Sequence, residues 1–307
     1  MSAGDPAALY LEHRPFLIGL AYRMLGSVAE AEDAVQEAFL RAHRTPRDGA
    51  WSTDVESPRA WLATVVTRLC LDQLRSARAR RETYTGPWLP EPVRTDLEGA
   101  IVQPIDAEAA ESLSLAFLVL LERLSPLERA VFLLHDVFDY THAEVGAMLE
   151  RDEAAVRQLL HRAKAHVKQG RPRFAPDPDR HRELLVRFLG ATGQGDLAAL
   201  TAMLTDDVVA RSDGGGKVRA AIKPVVGGDR VARLLIGVAK KSPADLRYEL
   251  CEINGTPGVT WSDDAGLLGA MTIVVADDRI CEVDIVVNPE KLRALASLDQ
   301  RGRRNTS

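Results

Sequence analysis

Three glycines and a lysine within Ser212–Val218, which reads SDGGGKV, are the first residues whose types suggest chemistry. Consecutive glycine N–H groups can wrap an anion, and Lys217 would add charge. A nucleotide-binding loop, however, needs a longer glycine-to-lysine spacing, Ser or Thr after the lysine, and a helix to follow. Here Val218 follows, and KVRAAI (217–222) alternates polar and apolar residues as a strand does. Phosphate binding is not the expectation. Cys70, Cys251 and Cys281 are odd in number and far apart, which suits neither a disulfide framework nor a zinc site and suggests a reducing, cytoplasmic setting. His161 and His166 lie on a basic stretch and need no metal. In the last third no histidine follows His181 and Tyr248 is the only tyrosine, leaving Asp207, Asp213 and Asp284 as acid/base groups without a matching oxyanion donor. No catalytic residue, metal or cofactor is assigned.

Charge placement carries more than charge total. The net charge is −5, yet residues 12–37 hold five acids against Arg14 and Arg23. Residues 59–82 hold six arginines against Asp72 and Glu82, and residues 151–173 hold seven basic residues against Asp152 and Glu153. Such segregation predicts separate acidic and basic surfaces with separate partners. The first residues lack the basic start and apolar core of a signal peptide, and no apolar run is long enough to span a bilayer.

These groups need elements to position them. Residues 9–82 read as helices: PFLIGLAYRMLG stops at Gly26, Ser27 caps the next helix, and Ser57 with Pro58 opens a third, which buries Trp61, Leu62, Val65, Val66, Leu69 and Leu74 and ends in arginines. A proline-rich stretch, TYTGPWLPEPVRT, has no periodicity but carries Trp88 and Leu89 as docking groups. From about residue 107 to 170 the chain is helical again. LSPLERAVFLLHD starts at a Ser125 cap, and THAEVGAMLE, a three-residue turn and AAVRQLLHRAKAHVKQ form a helix-turn-helix, with Arg157, His161, Lys164 and Lys168 along one solvent-facing stripe. Beyond RPRFAPDPDR, helices near 179–192 and 196–204, strands DVVAR and KVRAAI, a helix from Asp229 and four further strands predict a small α+β domain with a curved sheet.

Taken in order, AEDAVQEAFLRAHR, PRAWLATVVTRLCLDQLRSARARR and LSPLERAVFLLHDVFDYTHAEVGAMLERDEAAVRQLLHRAKAHV resemble the extracytoplasmic-function (ECF) sigma factors of RNA polymerase. The third region resembles the SnoaL-like, or nuclear-transport-factor-two-like, fold. WLPEP (88–92), DGGGK (213–217) and NPEKL (288–292) are similar to signatures of the sigma-J-like group, in which the two are fused. The resemblance implies a multidomain chain: sigma region 2 over 1–82, a linker over 83–107, a region 4 helix-turn-helix over 108–172, a linker over 173–178, a SnoaL-like regulatory domain over 179–295 and a basic tail over 296–307.

It also implies roles. Asp33, Gln36 and Glu37 would meet the clamp helices of the polymerase largest subunit. Trp51, Arg68, Arg75, Arg78, Arg80 and Arg81 would hold the minus-ten element, although many family members carry asparagine where Arg68 stands. Arg157, Gln158, His161, Arg162 and Lys164 would hold the minus-thirty-five element. Trp88, Glu91, Asp213, Gly214, Gly215, Gly216, Lys217, Asn288 and Pro289 would form an interdomain regulatory contact, Glu91 accepting from glycine N–H groups or pairing with Lys217. The expected partners are core polymerase and promoter DNA, with a small molecule in the third domain as a further candidate, and no membrane. Two alternatives stay open: a self-contained helix-turn-helix regulator with a ligand-sensing domain, and an isomerase or cyclase with DNA-binding appendages. Co-purification with core polymerase separates the first from a sigma factor.

Overall fold

A computed structural model describes residues 6–44, 57–97, 100–102, 112–170 and 177–295, which divide between two compact units. The first takes residues up to 82 together with 101–102 and 120–170; the second takes 83–100, 112–119 and the chain from 177 onward.

In the first unit, α1 (Pro6–Leu25), α2 (Val28–Arg44) and α3 (Pro58–Glu82) pack on one another. Their ends follow local chemistry. Gly26 takes a φ of 70° after α1, Ser27 Oγ accepts the Glu30 N–H at 3.3 Å, and Ser57 Oγ accepts the Ala60 N–H at 3.3 Å. The core is Leu17, Ile18, Leu20, Ala21, Leu62 and Val66, all without exposure, whereas Trp61, Val65 and Leu69 are only half-buried. Helix α1 begins at Pro6 and runs through Pro15, so it is longer than the apolar run alone suggests.

Next come α4 (Leu115–Leu121), most of which falls in the second unit, and in the first unit α5 (Pro126–Phe132), which continues as a π-helical turn over Leu133–Val137, α6 (His142–Leu149) and α7 (Glu153–Gly170). Reciprocal capping boxes start two of them: Ser125 with Glu128, and Thr141 with Glu144. Between α6 and α7 the chain turns at Glu150, in the left-handed region at φ 54°, and Val145, Met148 and Leu149 are buried with Val156, Leu160 and Ala163. Gly146 is required here, because a Cβ would lie 2.6 Å from the Arg151 carbonyl oxygen. α6 and α7 are a helix-turn-helix.

The second unit contains α8 (Pro178–Gln194), α9 (Leu197–Met203), β1 (Leu204–Asp213), β2 (Val225–Val226), α10 (Gly228–Ala239), β3 (Arg247–Ile253), β4 (Thr256–Ser262), β5 (Leu267–Ala276) and β6 (Arg279–Val286). They form one six-stranded sheet ordered β2-β1-β6-β5-β4-β3, antiparallel except for the β1–β6 pair. Phe188, Leu200, Val231 and Leu235 from the three helices pack with Val208, Val259, Ile273 and Val283 from one sheet face. Leu89, Leu115, Leu292 and Leu295 form a second core with Cys251, Ile253, Ala270 and Val286 from alternate strand positions.

One expectation differs from the fold. KVRAAI is turn and bend rather than strand: the Lys217 and Val218 N–H groups both donate to Gly214 O, and Ile222 is 71% exposed, so its alternation has no core to face. Residues 83–97 are docked, with Leu89 buried as its place among the prolines suggested. Arg94 makes an antiparallel bridge to Ile253, and Thr95 N–H donates to Glu252 O at 3.1 Å, so this stretch lies along the edge of β3.

Candidate functional site

On α2, Asp33 and Gln36 are exposed and Glu37 is half-exposed, while Ala31, Ala34, Val35 and Ala38 pack inward. The apolar spacing therefore turns the expected acids outward on one face. Leu40 adjoins them at 43% exposure. Glu37 accepts from Arg41 at 2.8 Å, an exposed i,i+4 pair of the sort that contributes little. The face is acidic at its rim with one apolar anchor.

The arginines of α3 divide. Arg68 reaches the helix-turn-helix, with Nε donating to Met148 O at 3.0 Å and Nη2 lying 3.1 Å from Glu150. Arg75 stays on its own helix, paired with Asp72 at 3.1 Å, both exposed. The side chains of Arg78, Arg80 and Arg81, and the whole of Trp51, lie outside the described residues.

All five expected groups on α7 are exposed: Arg157, Gln158, His161, Arg162 and Lys164. Their engagements differ. Among the described residues Arg157 pairs along its own helix, with Glu153 at 3.0 Å. Arg162 reaches back to α5, where Nε donates to Glu128 Oε1 at 3.0 Å, and Lys164 lies 3.0 Å from Asp136. Burial would raise the Glu128 carboxyl, but the Ser125 hydroxyl and N–H and the Arg162 guanidinium outweigh it and hold Glu128 below the usual range. Arg162 thus completes the cap of α5 as well as facing solvent.

The third group of residues meets around Asp213, which has no exposure. Its Oδ1 accepts the Tyr84 hydroxyl at 2.5 Å and the Gly215 N–H at 3.1 Å. Its Oδ2 accepts the Leu89 N–H at 2.8 Å and Lys291 Nζ at 2.7 Å. Lys291 also donates to Leu89 O, and its ammonium sits 4.1 Å from the Trp88 ring centroid and 5.0 Å from that of Tyr84. Asn288 Nδ2 donates to the Tyr84 hydroxyl at 3.0 Å. Gly215 takes a φ of 59°, and a Cβ there would lie 2.3 Å from the Asn288 amide, so only glycine fits.

Trp88, Asp213, Gly215 and Asn288 therefore come together, and Thr85 lies against Gly216. Pro289 is exposed and Glu91 half-buried. Two of the groups expected for Glu91 have other partners: Lys217 ion-pairs with Glu290, and the Gly215 N–H goes to Asp213. Sequence reasoning missed Tyr84, Lys291 and Asn254. Asn254 accepts the Val93 N–H at 3.0 Å and donates to Leu113 O at 3.0 Å, tying two approaching segments to one hairpin. Lys291 sits inside NPEKL, so the signal for it was the motif; Asn254-Gly255 reads as an ordinary hairpin turn and gave no warning.

A helix-turn-helix with an exposed basic second helix, in one unit with an acidic helix, defines a DNA-binding protein of the transcription machinery. Two family models match these parts: Sigma-70 region 2 over residues 9–80 and Sigma-70, region 4 over residues 114–167. The chain is 41% identical to ECF RNA polymerase sigma factor SigJ of Mycobacterium tuberculosis, covering 91% of this chain and 90% of that protein. It is 32% identical to the probable ECF RNA polymerase sigma factor SigI of the same organism, over 96% of this chain and 98% of the relative. The crystal structure of M. tuberculosis SigJ superposes with a TM-score of 0.73 at 36% identity, covering 94% of this chain and 98% of that one. The chain belongs to the ECF RNA polymerase sigma factors. It combines two all-helical sigma domains with a fused α+β domain. Among the described residues no helix is long and apolar enough to cross a membrane.

Proposed function

We propose that the acidic face of α2 binds the clamp helices of the polymerase largest subunit, that α3 and Trp51 hold the minus-ten element, and that α7 reads the minus-thirty-five element. The observation that carries this is the outward display of Arg157, Gln158 and His161 on the second helix of a helix-turn-helix, Arg157 being held among the described residues by an exposed intrahelical pair. Such a pair exchanges readily for a phosphate or a base edge. Arg162 and Lys164, held by Glu128 and Asp136, act more as positioning groups at the border of the interface. The test is promoter binding by holoenzymes carrying Arg157→Ala, Gln158→Ala or Arg162→Ala, on minus-thirty-five variants at several salt concentrations. A bidentate base contact would cost about 1–3 kcal/mol and relax preference at one position. No change for any of the three would remove α7 from the promoter.

We further infer that the α+β domain regulates initiation rather than catalysing a reaction. Asp213 is consumed by four donors, and Asp284 is buried against Arg211 at 2.9 Å. Neither is presented to a substrate. The stretch 84–95, which leads from region 2, is gripped by that domain through Asp213, Lys291 and Asn254. Loss of the grip would then change promoter activity without touching α2 or α7. Run-off transcription by holoenzyme carrying Asp213→Leu, compared with wild type, tests this; equal activity from a folded variant would make the domain a passenger.

A further inference from the structure

We propose that the open half of β3 is a docking edge for a second copy of this chain. β3 is the last strand of the sheet order, and its two halves are treated differently. The C-terminal half is covered by the chain itself: Asn254 N–H donates to Val93 O at 2.9 Å, and Thr95 N–H donates to Glu252 O at 3.1 Å. These bonds fix which residues turn their peptide groups outward. Glu252 does so, and by the two-residue period of a strand Tyr248 and Leu250 do as well. At the far end of the covering segment, Ala100 N–H donates to Leu97 O. Among the described residues no strand pairs with the outer edge of Arg247–Leu250, β4 lying on the inner one.

The side chains there are those of a contact surface. Tyr248 is 58% exposed and Leu250 43% exposed, on one face, with Trp261 directly across from Tyr248 on β4. Arg247 and Glu249 flank Tyr248 on the other face and are exposed too. Natural edges are usually blunted by lysine, proline or a bulge, and LRYELCEI has no lysine or proline and an unbroken register with β4.

Charge decides the occupant. An antiparallel pairing about a two-fold axis at Tyr248 sets Arg247 opposite Glu249 of the second copy, twice, and places the two tyrosines face to face. A register shifted to centre on Glu249 would oppose two like charges. The edge is thus self-complementary in one register, and a second copy supplies the matching strand by β-augmentation. Arg247 now pairs with Asp264 at 2.7 Å, at 55% and 89% exposure, and Glu249 accepts from Arg94 at 2.8 Å. The Arg247–Asp264 pair is exposed and yields at little cost. Arg94 is only 9% exposed, so Glu249 keeps that bond and meets Arg247 of the second copy with its other carboxylate oxygen. The contact is short, so the dimer is weak, with a dissociation constant on the order of micromolar to millimolar.

The test uses the full-length protein in a Cys281→Ser background, Cys70 and Cys251 being buried. Under mild oxidation Tyr248→Cys should crosslink to itself, because hydrogen-bonded cross-strand Cα atoms lie about 5.5 Å apart, within disulfide reach. Leu250→Cys is also exposed but would face a residue about four positions away, and should stay uncrosslinked. In sedimentation velocity the wild type should shift toward dimer with concentration, and Tyr248→Lys should weaken association tenfold or more with an unchanged melting temperature. A wild type that stays monomeric up to about 1 mM, equal crosslinking at both positions, or a dimer unaffected by Tyr248→Lys each overturns the proposal.

Discussion

At the scale of single residues, the Asp213 carboxylate accepts from four donors, and breaking its ion pair with Lys291 from one side or the other should have different effects. Asp213→Leu strands a buried Lys291 ammonium beside Leu89 O, and should cost about 3–5 kcal/mol in urea unfolding. Lys291→Met leaves a carboxylate still served by the Tyr84 hydroxyl and the Leu89 and Gly215 N–H groups, so it should cost less. The reverse order would show that the lysine, not the aspartate, organises the contact. Asp284 sets a pH dependence. Burial raises its carboxyl from 3.8 to about 6, although Arg211 pulls it down. A raised folded-state value means that this group's stabilising contribution is complete below pH 3.8 and is lost as pH rises to about 6, a difference on the order of 3 kcal/mol. Asp284→Asn should therefore flatten the stability profile across that window; an unchanged profile would assign the slope to other carboxylates. Gly215 and Trp88 could be named from their motifs because glycine and tryptophan advertise special geometry. NPEKL contains Lys291, and Asp284 stood out as a carboxylate, but their burial could not be read, since whether a charge is buried depends on strands far away in sequence.

At the scale of elements, the prediction concerns α2. Asp33 and Glu37 share a face with Gln36 and Leu40, so Asp33→Lys with Glu37→Lys reverses that face while leaving Ala34, Val35 and Ala38 packed. Core-polymerase affinity should fall at least tenfold in a binding titration, with unaltered helical circular dichroism. Unchanged affinity would remove α2 from the interface. Helix ends were readable because Ser27, Ser57 and Ser125 act through bonds spanning only a few residues. KVRAAI was misread for the complementary reason: alternation predicts a strand only where a neighbouring strand and a core exist, and this stretch has neither beside it. The edge placement of 93–95 was hidden too, because it rests on bonds to residues 252–254, more than 150 positions on.

At the scale of the molecule, acidic helix, helix-turn-helix and α+β domain serve one account: a sigma factor whose linker has become part of its fused domain. The sequence carried that architecture because the charge blocks and helix caps recur in family order, whereas the division into two units, with residues 83–97 in the second, appears only in three dimensions. The most direct test is run-off transcription on fragmented genomic DNA, with holoenzyme reconstituted from core polymerase and the full-length protein. The account predicts discrete start sites that depend on this protein and disappear with Asp33→Lys/Glu37→Lys. Binding to DNA without initiation from any fragment, or start sites indifferent to that variant, would contradict it.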